Sequence, residues 1–124
     1  MNDVFSTAVT MAVDTKKYGI RIHKVLFRQL GEPTHIQLLV NPDEGVVAIR
    51  TVEKEMSGGQ THRIREKRMQ SESSYEIYSR LFIRKLREVE PNIEDGCSYR
   101  LSGSIIPPLK TAVFSLKTMQ RMDR

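Results

Sequence analysis

A ten-residue segment of this chain returns in altered spelling. RIHKVLFRQL at residues 21–30 reappears as IYSRLFIRKL at residues 77–86, 56 positions later, and nine of the ten aligned pairs keep their polar or apolar class. Arg28 and Arg84 are identical, as are Leu30 and Leu86, and the match extends to Glu32 and Glu88. A turn-and-strand pattern follows each copy. Two copies of one supersecondary unit, each too small to bury its own apolar face, are expected to close around a shared core.

The length supports one such core. At 124 residues the chain is a single domain of ordinary size, able to bury about two-thirds of its unfolded surface. It divides into two pseudo-repeats, about 4–53 and 61–116, joined by a polar linker over 54–60 that contains Gly58 and Gly59. With no Trp and only 6% aromatic residues, the core has to be built from Val, Ile and Leu. No apolar run approaches the roughly 18 residues needed to cross a bilayer, and the first 17 residues lack the pattern of a secretory signal, so a cytoplasmic protein is expected. The single cysteine, Cys97, excludes an internal disulfide and a cysteine-rich zinc site and reads as a partly buried loop thiol.

Local patterns give the same element order in each half: strand, strand, short helix, strand, strand. In the first half, alternating β-branched residues predict a strand over 4–13, a polar turn at 14–17 and a strand over 18–22 with Ile20 and Ile22 on one face. A two-turn helix over 24–30 follows, stopped by Gly31 and kept from resuming by Pro33. Residues 35–41 and 46–52 then form a hairpin around Pro42, Asp43, Glu44 and Gly45. In the second half, residues 61–68 alternate weakly, a pattern that fits either a second copy of the first strand or a disordered loop, and residues 74–78 precede a helix over 80–89 whose apolar side is Leu81, Phe82, Leu86 and Val89. A strand over 98–106, a turn at 107–110 and a strand over 111–116 complete it, and the charged residues 117–124 read as a frayed tail.

The spelling of residues 7–53 resembles the AbrB/SpoVT/MazE group of bacterial transition-state regulators and antitoxin DNA-binding domains. The resembling parts are the strand before a polar turn, the I-x-I strand ending at Ile22, the Leu-x-x-x-Leu-Gly helix at 26–31 and the hairpin around Asp43, Glu44 and Gly45; residues 61–116 repeat the pattern more faintly. The family has proline after the I-x-I strand, where this chain has His23 and Ser79. The resemblance implies an α+β fold, an internally duplicated swapped-hairpin β-barrel with two short helices, in which one chain supplies both halves. It also implies duplex DNA binding through basic turns and helices. The matching residues are Lys16, Lys17, Arg21, Lys24 and Arg28 in the first half and Arg80 and Arg84 in the second, with Lys85 added because Gln29 occupies its equivalent.

Charge and spacing bear on that expectation separately. A net charge of +5 and a pI near 9.6 favour an acidic partner, of which nucleic acid is the common case. Lys16, Lys17, Arg21, Lys24 and Arg28 fall within thirteen residues free of acids, and His62, Arg63, Arg65, Lys67 and Arg68 cluster around the lone Glu66. Lys24 and Arg28 stand four apart, as do Arg80 and Arg84, so each pair shares a helix face at a like-charge cost of a few tenths of a kcal/mol. One explanation is phosphate contact from two symmetry-related helices. The other is internal: Glu32 and Glu88, four residues further on, would balance each face with ordinary ion pairs.

Residues that carry chemistry are few. His23, His35 and His62 share no metal-ligand spacing, Ser57-Gly58-Gly59-Gln60 lacks the Lys-Ser/Thr ending of a phosphate loop, and no serine or cysteine stands in a nucleophile context. A non-enzymatic protein without metal or cofactor is expected. Base stacking on single strands would need exposed rings among basic residues; Tyr18, Tyr75, Tyr78 and Tyr99 lie near basic blocks, whereas Phe27, Phe82 and Phe114 fall where core is expected, and core or cross-strand packing is favoured over stacking. The reading is therefore a DNA-binding regulatory protein, with no membrane partner. The alternative is a protein-interaction or assembly module on the same duplicated fold, and both a protein partner and a homodimer stay open.

Overall fold

The computed structural model describes residues 8–53, 60–64 and 74–122. They fold into a nearly closed, barrel-like antiparallel sheet with two short helices. The elements are β1 (Ala8–Asp14), β2 (Gly19–His23), α1 (Lys24–Gln29), β3 (His35–Asn41), β4 (Val46–Val52), β5 (Gln60–Arg63), β6 (Ser74–Tyr78), α2 (Arg80–Val89), β7 (Ser98–Ile106), β8 (Thr111–Ser115) and β9 (Gln120–Arg121). The strands run β5-β3-β4-β8-β7-β1-β2-β6 in space, and β9 pairs with β7. The expected strand-strand-helix-strand-strand order is present in each half. Residues 4–7, 54–59 and 65–68 of the expected first strands and linker lie outside the described residues.

Alternation dictates which side of each strand faces inward. Val9, Met11 and Val13 of β1, Ile20 and Ile22 of β2, Val47 and Ile49 of β4, and Ala112 and Phe114 of β8 are all buried two apart. They interlock with Ile36, Leu38, Leu101 and Ile105 in one cluster, and the helices cover it with Leu26 and Phe27 of α1 and Phe82, Ile83 and Leu86 of α2. The ring of Phe27 meets that of Tyr75 edge to face, 5.4 Å between centroids.

Gly103 occupies an inward phase of β7, between Leu101 and Ile105. A Cβ there would run into the backbone of Val113 and stand 2.8 Å from the Cα of Phe114. The missing side chain is what lets β8 fold closely over β7.

The helices end as local chemistry requires. The Ser79 hydroxyl accepts from the Phe82 N–H at 3.1 Å and caps α2. α1 closes in a Schellman motif, with Gly31 N–H donating to Arg28 O at 3.1 Å and Glu32 N–H to Phe27 O at 2.7 Å. Both Gly31 and Glu32 have positive φ.

Two features depart from the sequence pattern. Leu81 was expected on the buried side of α2, but it is 47% exposed and Ile83 is buried instead; Ile83 and Leu86 line up with Phe82 on the face toward the sheet, and Leu81 points away from it. The tail does not fray over residues 117–122. Residues 116–118 form a 3₁₀ turn, β9 pairs with Tyr99 and Arg100 of β7, and Met119 packs against the core. The Thr118 hydroxyl accepts from Ser102 N–H at 2.9 Å, and the Ser115 carbonyl lies 2.6 Å away as its acceptor.

Candidate nucleic-acid interface

The antiparallel pairing of β2 with β6, Gly19 opposite Tyr78 and His23 opposite Ser74, governs where the basic residues lie. The chain enters β2 from the 14–18 turn at one end of this pair and leaves it into α1 at the other. β6 runs the opposite way, so α2 begins at the end where β2 starts. The turn of the first half therefore meets the helix of the second half and not its own. Five strand residues at about 3.3 Å each separate the two ends by roughly 17 Å.

At the first end, the turn is fastened on two sides. Ser79 N–H donates to the Tyr18 carbonyl at 2.9 Å, and the Arg80 guanidinium lies over the Tyr18 ring, 4.7 Å from its centroid. Thr15, buried, donates its N–H to the Cys97 carbonyl at 3.0 Å, and its hydroxyl accepts from Cys97 N–H at 3.0 Å. The turn is thus clamped between the start of α2 and the loop that follows it, leaving Lys16 and Lys17 exposed. Tyr18, Arg80, Arg84, Arg87 and Glu88 line a cleft of about 460 Å³. Lys85 is exposed on the neighbouring face of α2, toward Val40 and Pro42 of the β3–β4 hairpin.

The other end carries Lys24, half-buried, and Arg28, exposed, on α1, together with Arg63 at the end of β5. Its main-chain oxygen accepts from the Tyr75 hydroxyl at 3.2 Å. Arg21 stands between the two ends on the outer face of β2, directly opposite Glu76. Glu76 is buried there, accepting from the Tyr78 hydroxyl at 3.1 Å, so Arg21 faces a carboxylate across the strand pair.

The eight expected residues thus form two groups and one intermediate. Lys16, Lys17, Arg80 and Arg84 share one end, with Lys85 on the adjoining face of α2 toward the β3–β4 hairpin, Lys24 and Arg28 lie at the other, and Arg21 lies between. Among the described residues, none of the eight makes an ion pair. The balancing role expected of Glu32 fails because α1 stops at Gln29 and Glu32 sits beyond it in left-handed backbone, off the helix face. The pairs formed between described residues are Arg87–Asp95 and Arg121–Glu94. Arg87 and Arg63 were not expected at the site. Arg87 was legible as the next step of the Arg80, Arg84 stripe, seven residues on from Arg80 along one helix face; Arg63 is brought opposite His35, just after the α1–β3 connection, only through sheet pairing.

The remaining titratable groups offer little chemistry. Cys97 is half-buried in the loop after α2. Burial pushes the His62 imidazole below its ordinary value, through desolvation of the charged form. Among the described residues no three of His, Cys, Asp and Glu come together as a metal site, and no helix is long and apolar enough to cross a membrane. No family model matches the chain, and neither a characterised protein nor a solved structure does.

Proposed function

We propose that this protein is a cytoplasmic, non-enzymatic DNA-binding regulator of the AbrB/SpoVT/MazE type, with both halves of a swapped-hairpin barrel in one chain. The strand order supports the duplication. Exchanging β1 with β5, β2 with β6, β3 with β7 and β4 with β8 leaves six of the seven pairings along the sheet unchanged. The seventh, β1 with β2, becomes β5 with β6, the seam where the barrel stays open. Each β1–β2 strand also pairs with a strand of the other half, β7 or β6, which is the interlocking that the swapped-hairpin reading requires.

One observation carries the functional reading: basic side chains that make no ion pair among the described residues stand at both ends of the β2–β6 pair, roughly 17 Å apart. A separation of that size suits contacts to phosphates on either side of a major groove about 12 Å wide. Holding Lys24 and Arg28 together on one short helix and Arg80 and Arg84 on the other carries a like-charge cost, which Arg80 offsets in part by resting over the Tyr18 ring. Neutralising phosphates would release counterions and make use of the charge. The resulting contacts position the protein on the duplex; base readout is a separate matter.

Fluorescence anisotropy with random-sequence duplex DNA between about 50 and 200 mM salt tests the reading. Binding should weaken steeply with salt, the logarithm of affinity falling against the logarithm of salt concentration with a slope of about 0.9 per phosphate contacted. Absence of binding at low salt would reject it. The interaction-module alternative draws on the seam, since among the described residues β5 and β6 each pair on one side only. That alternative predicts association blocked by changes at the strand edges and indifferent to Arg80 and Arg84.

A further inference from the structure

Tyr18 holds a left-handed backbone conformation, φ 59°, that bulky residues rarely adopt. A glycine would make the same turn without strain. What a ring adds at this position is what the ring touches: the hydrophobic core along one side and the Arg80 guanidinium over its face. We propose that Tyr18 is a positioning residue for nucleic-acid binding, acting through Arg80. This rests on the DNA-binding reading above.

The geometry explains how. An arginine on a helix surface samples many rotamers, and binding a phosphate ordinarily costs that freedom. A guanidinium resting over a ring is already restrained, yet its N–H donors lie in the guanidinium plane and stay available to a phosphate. Because the Tyr18 carbonyl also accepts from Ser79 N–H, the same residue fixes the lysine-bearing turn against the start of α2. Lys16, Lys17 and Arg80 then present as one rigid unit, although 63 residues separate Lys17 from Arg80.

The test compares Tyr18→Phe, Tyr18→Leu, Arg80→Gln and the double variant Tyr18→Leu/Arg80→Gln in the salt series, with thermal melts as a control on folding. Leucine keeps the apolar packing and the backbone strain but removes the aromatic face. Tyr18→Phe should bind as the original protein does. Arg80→Gln should lower the salt slope by about 0.9, one phosphate contact, and Tyr18→Leu, which leaves the arginine's charge in place, should weaken binding severalfold at every salt concentration without changing the slope. The double variant should match Arg80→Gln alone, because the ring acts only through the arginine. Wild-type binding by Tyr18→Leu, or additive losses in the double variant, would overturn the proposal while leaving DNA binding intact. Loss of binding in Tyr18→Phe as large as in Tyr18→Leu would also overturn it, by assigning the effect to the hydroxyl. If the unaltered protein binds no DNA, the DNA-binding reading fails and this proposal falls with it.

Discussion

Gly45 and Lys110 occupy matching places in the two long hairpins. Both have left-handed backbone, φ 66° and 49°, and each carbonyl accepts from the far arm of the other hairpin: Leu116 N–H, just past the end of β8, donates to Gly45 O at 2.9 Å, and Thr51 N–H of β4 to Lys110 O at 3.0 Å. The two contacts are 65 residues apart at both donor and acceptor, so the hairpins clasp each other reciprocally. Only one of the two turns has the residue that such a conformation favours.

That asymmetry yields a stability prediction. A non-glycine residue in left-handed backbone costs about 1–2 kcal/mol, against which glycine loses some unfolded-state advantage. Lys110→Gly should therefore stabilise the protein by about 1 kcal/mol, and Gly45→Lys should destabilise it by a similar amount, both read from urea midpoints. A destabilised Lys110→Gly would mean that the exposed lysine side chain contributes more than its backbone costs.

Two other glycines should respond very differently to alanine. At Gly103 the added Cβ meets the backbone of Val113 and Phe114, which cannot yield without opening β7 from β8, so a loss of roughly 3 kcal/mol is expected. At Gly19 the added Cβ meets Oε2 of Glu76 at 2.7 Å, the tip of a flexible side chain, and a loss of about 1 kcal/mol is expected. Shortening the obstacle with Glu76→Ser should make Gly19→Ala nearly neutral. Equal costs for Gly19→Ala with and without that second change would show that Glu76 is not what the glycine accommodates.

Much of the architecture was legible because it is written locally. The hairpin of β3 and β4, the bounds of α2 and the span of β7 follow from alternation and turn residues. The helices bury equivalent positions, Leu26 and Phe27 against Phe82 and Ile83, at the spacing of 56 that the repeat displays. The strands before them do not keep that spacing: Ile22 is fully buried, whereas Tyr78, its counterpart at 56, is 46% exposed, and Ile22 shares its inward phase with Ile77 instead. Least legible was the grouping of charge. In sequence Lys17 lies near Lys24 and far from Arg80, but β2 carries the chain away from one and β6 brings the other back. The proximity is created by a strand pairing between halves that no local pattern encodes. The tail misled for a related reason, since its charges read as solvated while Thr118 and the backbone of β9 make the attachments.

The two basic ends can be titrated separately. Lys24→Ala with Arg28→Ala removes charge from the α1 end, and Arg80→Ala with Arg84→Ala removes it from the α2 end. If both ends touch phosphate, each pair should lower the salt slope by up to about 1.8, at 0.9 per contact, and combining them should sum the two effects. The thermal midpoints should move little, because three of the four side chains are exposed and none is in an ion pair among the described residues. A slope altered by one pair alone would confine DNA contact to that end of the barrel.

His62 gives the fold a predictable pH dependence. Its folded-state pKa is lowered from 6.5 by burial, so the unfolded chain takes up the proton first as the solution is acidified. Stability from this residue is full well above pH 6.5, declines as pH falls through 6.5 toward the lower folded value, and levels off once both states are protonated. A neutral replacement, His62→Gln, cannot charge and should remove this part of the decline. Urea midpoints measured at intervals from about pH 8 to pH 5 should therefore converge toward acid pH, the variant losing less stability than the unaltered protein. Parallel curves for the two proteins would place the acid sensitivity in the carboxylates and deny His62 a part in it.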